Sequence, residues 1–412
     1  MQVQQLHIGR WFGVAVVSIA LGLSSHAWAE TKYKILHGFT GRDGDGGGLW
    51  GSLAVDAQGN VYGATSGGGA YGYGTVFELT PNPDGTWTET ILHSFDNQGQ
   101  GGYGPLGGIV LDTEGNVYGT TSYGGGPARY GTVFEMSPSG DGWTEDVLYS
   151  FGSHSKDGSP YAGPMMDSAG NLYGTAGVAY KLTPGLGGWT EEVLHDFTDS
   201  GGDGGTPFAG VILNRVGDVF GTTEEGGANG AGIVYELKHS RMGWKEYILH
   251  NFPSSPYDGA GPGVGALAYD HQGNLYGTTR AGGTNICFGG CGTIFELTPE
   301  PNGHWKETIL YNFKKGAQGF SPGAGVVADK AGNLYGATMY GGSQQCGCGV
   351  VYKLARTSPV GGQWTYTVLH TFYGPDGAQP DANLILDSKG DIFGTTAVGG
   401  PGGAGVVFEI IP

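Results

Sequence analysis

Seven copies of one heptapeptide, spaced 47 to 59 residues apart, leave this chain little choice of fold, because equivalent units of that length must stack or form a ring. The copy Gly115-Asn116-Val117-Tyr118-Gly119-Thr120-Thr121 is representative. The others centre on Tyr62, Tyr173, Phe220, Tyr276, Tyr335 and Phe393. Each copy is short, half β-branched or aromatic, and preceded by an Asp-x-x-Gly turn such as Asp112 to Gly115, where Asp accepts backbone bonds and Gly takes the left-handed position. The turn recurs from Asp56, Asp167, Asp270, Asp329 and Asp387, and Asn214 serves in its place once.

Each unit therefore reads as four strands. In the second complete unit they are residues 106–111, 116–121, 131–136 and 143–151, with a glycine-rich loop between the second and third. Strict alternation would put Trp143, Val147 and Phe151 on one face of the fourth strand. A Trp-to-Phe separation of 8 marks that strand in six copies, from 87 to 95 through 364 to 372. A seventh copy without the Trp, residues 32–39, opens the chain after its leader, whereas the chain ends just after a third strand, residues 406–410.

One end thus lacks the strand that the other end has spare. A propeller closes by letting one terminus complete a blade begun by the other, so no edge is left to aggregate. The expected fold is all-β, a seven-bladed β-propeller with four antiparallel strands per blade, closed by the N-terminal strand. The residue four places ahead of each turn is small (Ser52, Gly108, Gly163, Gly210, Ala266, Gly325) or Asn383, as crowding around a central channel demands.

Glycine supplies 86 of 412 residues, which would suggest disorder if it were aperiodic, but here it is locked to the repeat. Residues 1–29 have a weakly basic start, a short apolar run and an Ala27-Trp28-Ala29 cleavage site, and so read as a secretory signal peptide. Residues 30–412 then form a single propeller domain without a transmembrane segment, expected to be a monomer that is secreted, periplasmic or at the cell surface. The formal charge of −18 becomes −19 once Arg10 leaves with the leader, which disfavours nucleic acid and anionic lipid partners.

The segments Gly-Asn-Val/Leu-Tyr-Gly-x-Thr, Gly-Thr-Val-Phe-Glu-Leu and Trp-Thr-Glu-x-Ile-Leu-His-x-Phe together resemble the GloVer tandem repeat of "choice-of-anchor" bacterial secreted proteins. The likeness covers residues 31–412, and the first two strands also resemble NHL-type propeller repeats. It implies an exported bacterial protein, often tethered through a C-terminal sorting segment; none is visible before Pro412. It transfers no catalytic residue.

Residues shared by all units are scaffold, so chemistry is sought where copies differ. His37, His93, His195, His250 and His370 share one fourth-strand position with Tyr149 and Tyr311. They read as polar fillers between blades rather than a metal or proton-relay set, since equivalents in a ring diverge. Glu78, Glu135, Glu236, Glu296 and Glu409, with Lys181 and Lys353 at the same position, do not meet the paired-carboxylate spacing of a glycosidase. Glu89 and Glu145 read as solvated strand faces.

Cys287 and Cys291 lie in the glycine-rich loop of one blade, and Cys346 and Cys348 in that of the next. Behind a signal peptide disulfides are expected, with a four-thiolate zinc site or free thiols as alternatives. Pairing between the two loops is favoured, because a Cys346 to Cys348 bridge closes a small, strained ring.

The rim just past the Thr-Thr ends offers Tyr123, Glu224, Glu225, Arg280, Met339 and Tyr340 as ligand contacts, next to a gap where blade three shortens its loop to Gly174 to Gly177. Asp43 and Asp45, with Asp199, Asp203 and Asp258 in related loops, are calcium candidates that supply only part of the six or more oxygens required. No other cofactor is implied. The sequence points to a secreted binding or scaffold propeller for an extracellular glycan, peptide or protein. The alternative is a lyase or hydrolase with its site at the channel mouth.

Overall fold

The aspartate turns form as the residue types dictate. Asp112 Oδ1 accepts the amides of Glu114 (2.8 Å) and Asn116 (2.9 Å), Asn116 Nδ2 donates to Oδ2 (2.8 Å), and Gly115 takes φ 90°. The Tyr118 hydroxyl reaches both Asp112 Oδ2 (3.1 Å) and Glu135 Oε1 (2.9 Å), tying the turn to the third strand. This pins the second strand, Val117–Thr121, whose residues are all buried.

The computed structural model describes residues 31–412 apart from 99–100, 141, 153–156, 254–257, 264, 285–286, 288 and 358–361. The expected signal peptide, residues 1–29, lies outside the described residues. Contacts divide the chain into Met1–Glu30 and Thr31–Pro412. Among the described residues the second unit contains seven antiparallel sheets built on four strands each. The second blade comprises Val110–Leu111, Val117–Thr121, Thr132–Ser139 and Gly142–Ser150, in that order from the centre outward.

The seventh blade is shared between the chain ends. Ile385–Leu386, Ile392–Thr396 and Val406–Ile411 are completed by Lys32–Gly38, which pairs with Val406–Ile411 from Lys32 opposite Ile411 to Gly38 opposite Val406. The expected ring closure is therefore formed. The apolar core is not one mass but seven clusters, each lying between adjacent blades. Between blades 1 and 2, for example, Tyr62, Val76, Leu92 and Phe95 pack on Ile109, Val117, Phe134 and Met136.

Three expectations are corrected. The innermost strand is shorter than residues 106–111, because the segment before Val110 leaves the blade to line the channel against its neighbours; the Ile109 amide bonds to Ser52 O at 3.3 Å. Trp143, Val147 and Phe151 do not share a face. The pairing of the third and fourth strands skips one residue, so Val133 opposes Tyr149 while Phe134 opposes Val147, and this bulge inverts the alternation beyond Leu148. The same bulge occurs in all seven blades, immediately before the His or Tyr position.

The third correction concerns the cysteines. The bridges form, but within loops: Cys287 to Cys291 and Cys346 to Cys348, with Cα separations of 5.1 and 5.2 Å. Cys291 packs in the core between blades 5 and 6, and Cys348 in the core between blades 6 and 7. Each pair is anchored on a different side of blade 6, so the two loops do not meet.

Candidate functional site at the channel mouth

The interblade loops and the loops between second and third strands share one face, as their short pairings show: Gly46–Gly47 with Gly67–Gly68, Gly102–Tyr103 with Tyr123–Gly124, and Gly204–Gly205 with Glu225–Gly226. The channel cavity of about 220 Å³ is lined by Ser52, Gly108, Gly163, Gly210, Ala266 and Asn383, the small positions read from the repeat. The crowding is real: a Cβ on Gly163 would overlap the Gly108 carbonyl.

Two residues before each small position the copies carry Trp50, Leu106, Tyr161, Phe208, Val264, Gly323 and, in the last blade, Asp381. A single carboxylate thus enters an apolar ring. Asp381 is only 8% exposed, and its Oδ1 has no hydrogen-bond partner among the described residues. Burial pushes its carboxyl up to about 6, although the Arg280 charge works in the opposite direction.

Arg280 follows the Thr-Thr end of blade 5 and spans the mouth, 3.8 Å from Glu224 of blade 4 and 3.7 Å from Asp381 of blade 7. It reaches across blade 6 because Gly323 leaves the space open, and a Cβ there would overlap the Asp381 carboxylate. Of the rim residues singled out in the sequence, Glu224 and Arg280 are therefore brought together. Tyr123 stands exposed and stacked on Tyr103 at 5.6 Å, and Tyr340 is exposed beside Phe320. Glu225 accepts a bond from Thr206 (3.0 Å), and Met339 is buried and presents no surface.

Asp381 was not among the rim residues singled out, yet aligning the seven copies is enough to expose it, since it is the one charge in its column. The same face carries exposed Tyr71, Tyr130, Tyr161 and Tyr373, with Trp50 at the channel edge. In blade 3 the shortened turn closes on itself through Ala176 N to Val178 O, and Tyr161 there packs on Phe208 at 4.4 Å.

The histidine position behaves differently from the filler expected. The bulge aims the side chain across the blade junction, where His37, His195 and His250 meet an Asp of the following loop and the fourth-strand Glu of the next blade. His37 lies 3.7 Å from Asp45 and 3.4 Å from Glu89; His195 lies 3.0 Å from Asp203 and 3.7 Å from Glu246; His250 lies 3.4 Å from Glu307, with Asp258 in the same group. Glu89 and Glu145 are thus not solvated faces but about 15% exposed and directed at His37 and His93. Burial followed by the neighbouring aspartate pushes Glu89 up to about 7 and Glu307 to about 8, while burial lowers His37 and His250. Asp43 is exposed and separate from this group.

The third-strand residues read against a glycosidase are structural. Glu78, Glu135 and Glu296 accept the hydroxyls of Tyr62, Tyr118 and Tyr276, and where Lys181 and Lys353 replace Glu, the ammonium lies over the Tyr173 and Tyr335 rings. These groups fasten the turns and are spread around the ring.

Fold and repeat together define a seven-bladed repeat propeller with a polar channel mouth. The chain belongs to the Gloeobacter/Verrucomicrobia repeat family, whose pattern matches residues 23–178, 175–344 and 287–412. No curated protein matches the sequence. Among solved structures the fold is similar to PorZ, a surface component of the type-IX secretion system of Porphyromonas gingivalis, at 14% identity and TM-score 0.50 over 87% of this chain and 46% of that one. It is also similar to the extracellular domain assigned to a hybrid two component system of B. thetaiotaomicron, at 10% identity and TM-score 0.55 over 92% and 39%. A Thermus thermophilus protein assigned as an oxidoreductase (glucose dehydrogenase) aligns at 15% identity and TM-score 0.47 over 92% and 100%. The chain spans less than half the length of the first two, and at these identities the likeness is one of fold. No helix among the described residues is long and apolar enough to cross a membrane.

Proposed function

We propose that this is an exported, non-catalytic binding propeller whose ligand, an extracellular glycan, sits on the channel-mouth face. The observation that carries the reading is the combination of exposed Tyr123, Tyr161, Tyr340 and Trp50 with the Glu224, Arg280 and Asp381 group at the centre. Aromatic faces stack on the apolar faces of sugars, and a few convergent charged groups fix hydroxyls by charge-assisted hydrogen bonds. Two disulfides suit an oxidising compartment.

A glycan array probed with the purified chain should give a restricted set of bound structures. Arg280→Ala should then weaken binding at least 10-fold, with melting temperature kept within a few degrees. Silence across the array, or unchanged binding by Arg280→Ala, removes the reading. A second reading, a lyase or hydrolase at the same mouth, draws on Asp381, whose carboxyl at about 6 is tuned for proton transfer near neutral pH. It requires that a bound glycan be cleaved and that Asp381→Asn abolish the cleavage.

A further inference from the structure

We propose that three blade junctions, His37 with Asp45 and Glu89, His195 with Asp203 and Glu246, and His250 with Asp258 and Glu307, are divalent-cation sites best matched to zinc. In each group one ligand atom per residue lies within 4.8 Å of the others. Zinc bonds of about 2.0–2.1 Å in a tetrahedron put ligand atoms about 3.3–3.4 Å apart. The observed His-to-carboxylate separations of 3.0 to 3.7 Å bracket that value. One imidazole nitrogen and two carboxylates leave a fourth position open, and the two negative charges balance a dication. Calcium, which takes 6–8 oxygens, fits this nitrogen-containing set poorly.

Buried atoms of each group lack hydrogen-bond partners among the described residues: His37 Nε2, Asp45 Oδ1 and Glu89 Oε1 in the first, Glu246 Oε1 in the second, where His195 Nε2 bonds Asp203 Oδ1 at 3.0 Å, and His250 Nε2 and Glu307 Oε1 in the third. Leaving such groups unpaired is destabilising. The aspartates are nevertheless held in place from behind. Asp45 Oδ2 accepts both the amide and the hydroxyl of Thr40 at 2.7 Å, and Asp203 Oδ2 accepts those of Thr198 at the same distances. Supporting bonds that orient one oxygen and free the other are the usual outer shell of a metal ligand.

Of the remaining junctions, that of His93 with Glu145 (3.5 Å) keeps the same residue types without closing into a group of three among the described residues, and the other three serve as internal controls. Where a tyrosine enters the group, ordinary hydrogen bonds or stacking take over. Tyr149 donates to Glu191. Tyr311 donates to Gln318 (2.6 Å) and stacks on Tyr366 at 4.2 Å, so in that junction His, Asp and Glu are all replaced together. Tyr33 stacks on His370, which bonds Asp376 at 2.9 Å. Unpartnered buried atoms thus occur in all three groups, and also at Glu145 Oε1 beside His93. Side-chain exposures of 12 to 24% leave the groups open to an ion from solvent.

The test uses the full purified chain with its disulfides intact, stripped with chelator and dialysed against zinc chloride. Elemental analysis and native mass should give three zinc ions per chain, and zinc X-ray absorption should show nitrogen and oxygen ligands at about 2.0 Å without sulfur. Single variants His37→Gln, His195→Gln and His250→Gln should each lose one ion, the triple variant should lose all three, and Tyr311→Phe should keep three. Zinc should raise the melting temperature of the wild type and not of the triple variant. No bound zinc, a sulfur ligand, tighter binding of calcium than zinc, or zinc retained by the triple variant would each overturn the proposal. If the triple variant fails to fold, the stoichiometry and absorption spectrum of the wild type decide.

Discussion

Asp381 is the residue at which the last blade departs from the apolar pattern of the repeat. Its carboxyl is raised from the usual 3.8 to about 6, chiefly by burial, so the folded chain favours the neutral form. A raised carboxyl adds no cost below the unfolded value and its full cost above the folded one. The instability therefore grows between about pH 4 and pH 6, reaching an upper bound of about 3 kcal/mol for a shift of about two units. Asp381→Asn should accordingly melt higher than the wild type at pH 7.5, and the two curves should converge near pH 4. An offset that persists at pH 4, or a lower melting temperature at pH 7.5, would show that Asp381 is held by favourable contacts instead. The residue is legible in the sequence once the seven copies are aligned, and Arg280 stands out in the same way. That the two meet was not legible, because it depends on Gly323 in an intervening blade leaving the space between them empty.

At the scale of the strand, the recurring unit is a glycine of the second strand lying under an aromatic ring of the third. Gly119 faces Phe134, and Gly336 faces Tyr352. Four blades place Phe there (Phe77, Phe134, Phe295 and Phe408), whereas three place Tyr. The ring is needed for packing, but the hydroxyl of fully buried Tyr352 has no hydrogen-bond partner among the described residues. Tyr352→Phe should therefore stabilise the protein by about 1 kcal/mol, by removing an unpaired polar group without opening a cavity. Chemical denaturation would measure this, and a loss of similar size would reveal a hidden partner for the hydroxyl. Strand order and turns were legible because Asp, Asn and Gly impose local geometry that tertiary contacts do not override. The fourth-strand faces were not, since one extra residue per blade, Leu148 in the second, inverts the alternation without any local sequence signal. That same inversion turns the histidines toward carboxylates of the next blade, so reading His37 or His250 as an isolated filler missed partners some 50 residues away in the chain.

At the scale of the whole molecule, the seven cores between blades are equivalent only if the ring is closed, and closure rests on Lys32–Gly38. This strand supplies Leu36, 7% exposed, to the core between blades 7 and 1, and Tyr33 and Ile35 to the core between blades 6 and 7. Losing it exposes an unpaired edge on Val406–Ile411 as well as three apolar side chains, at about 1.5–3 kcal/mol each. Removing residues 31–38 should therefore cost at least about 5 kcal/mol and lower the melting temperature well beyond the few degrees expected of a surface truncation. The intact ring should melt in a single transition, whereas the opened one should lose blades 7 and 1 first, visible as early hydrogen exchange in Ile392–Thr396 and Val61–Thr65. A synthetic peptide of residues 31–39 added to the truncated chain should restore part of the loss, because the strand binds an edge that is already shaped for it. Unchanged melting after truncation would mean that neighbouring blades alone hold the ring, and that the shared blade is a matter of topology rather than of stability.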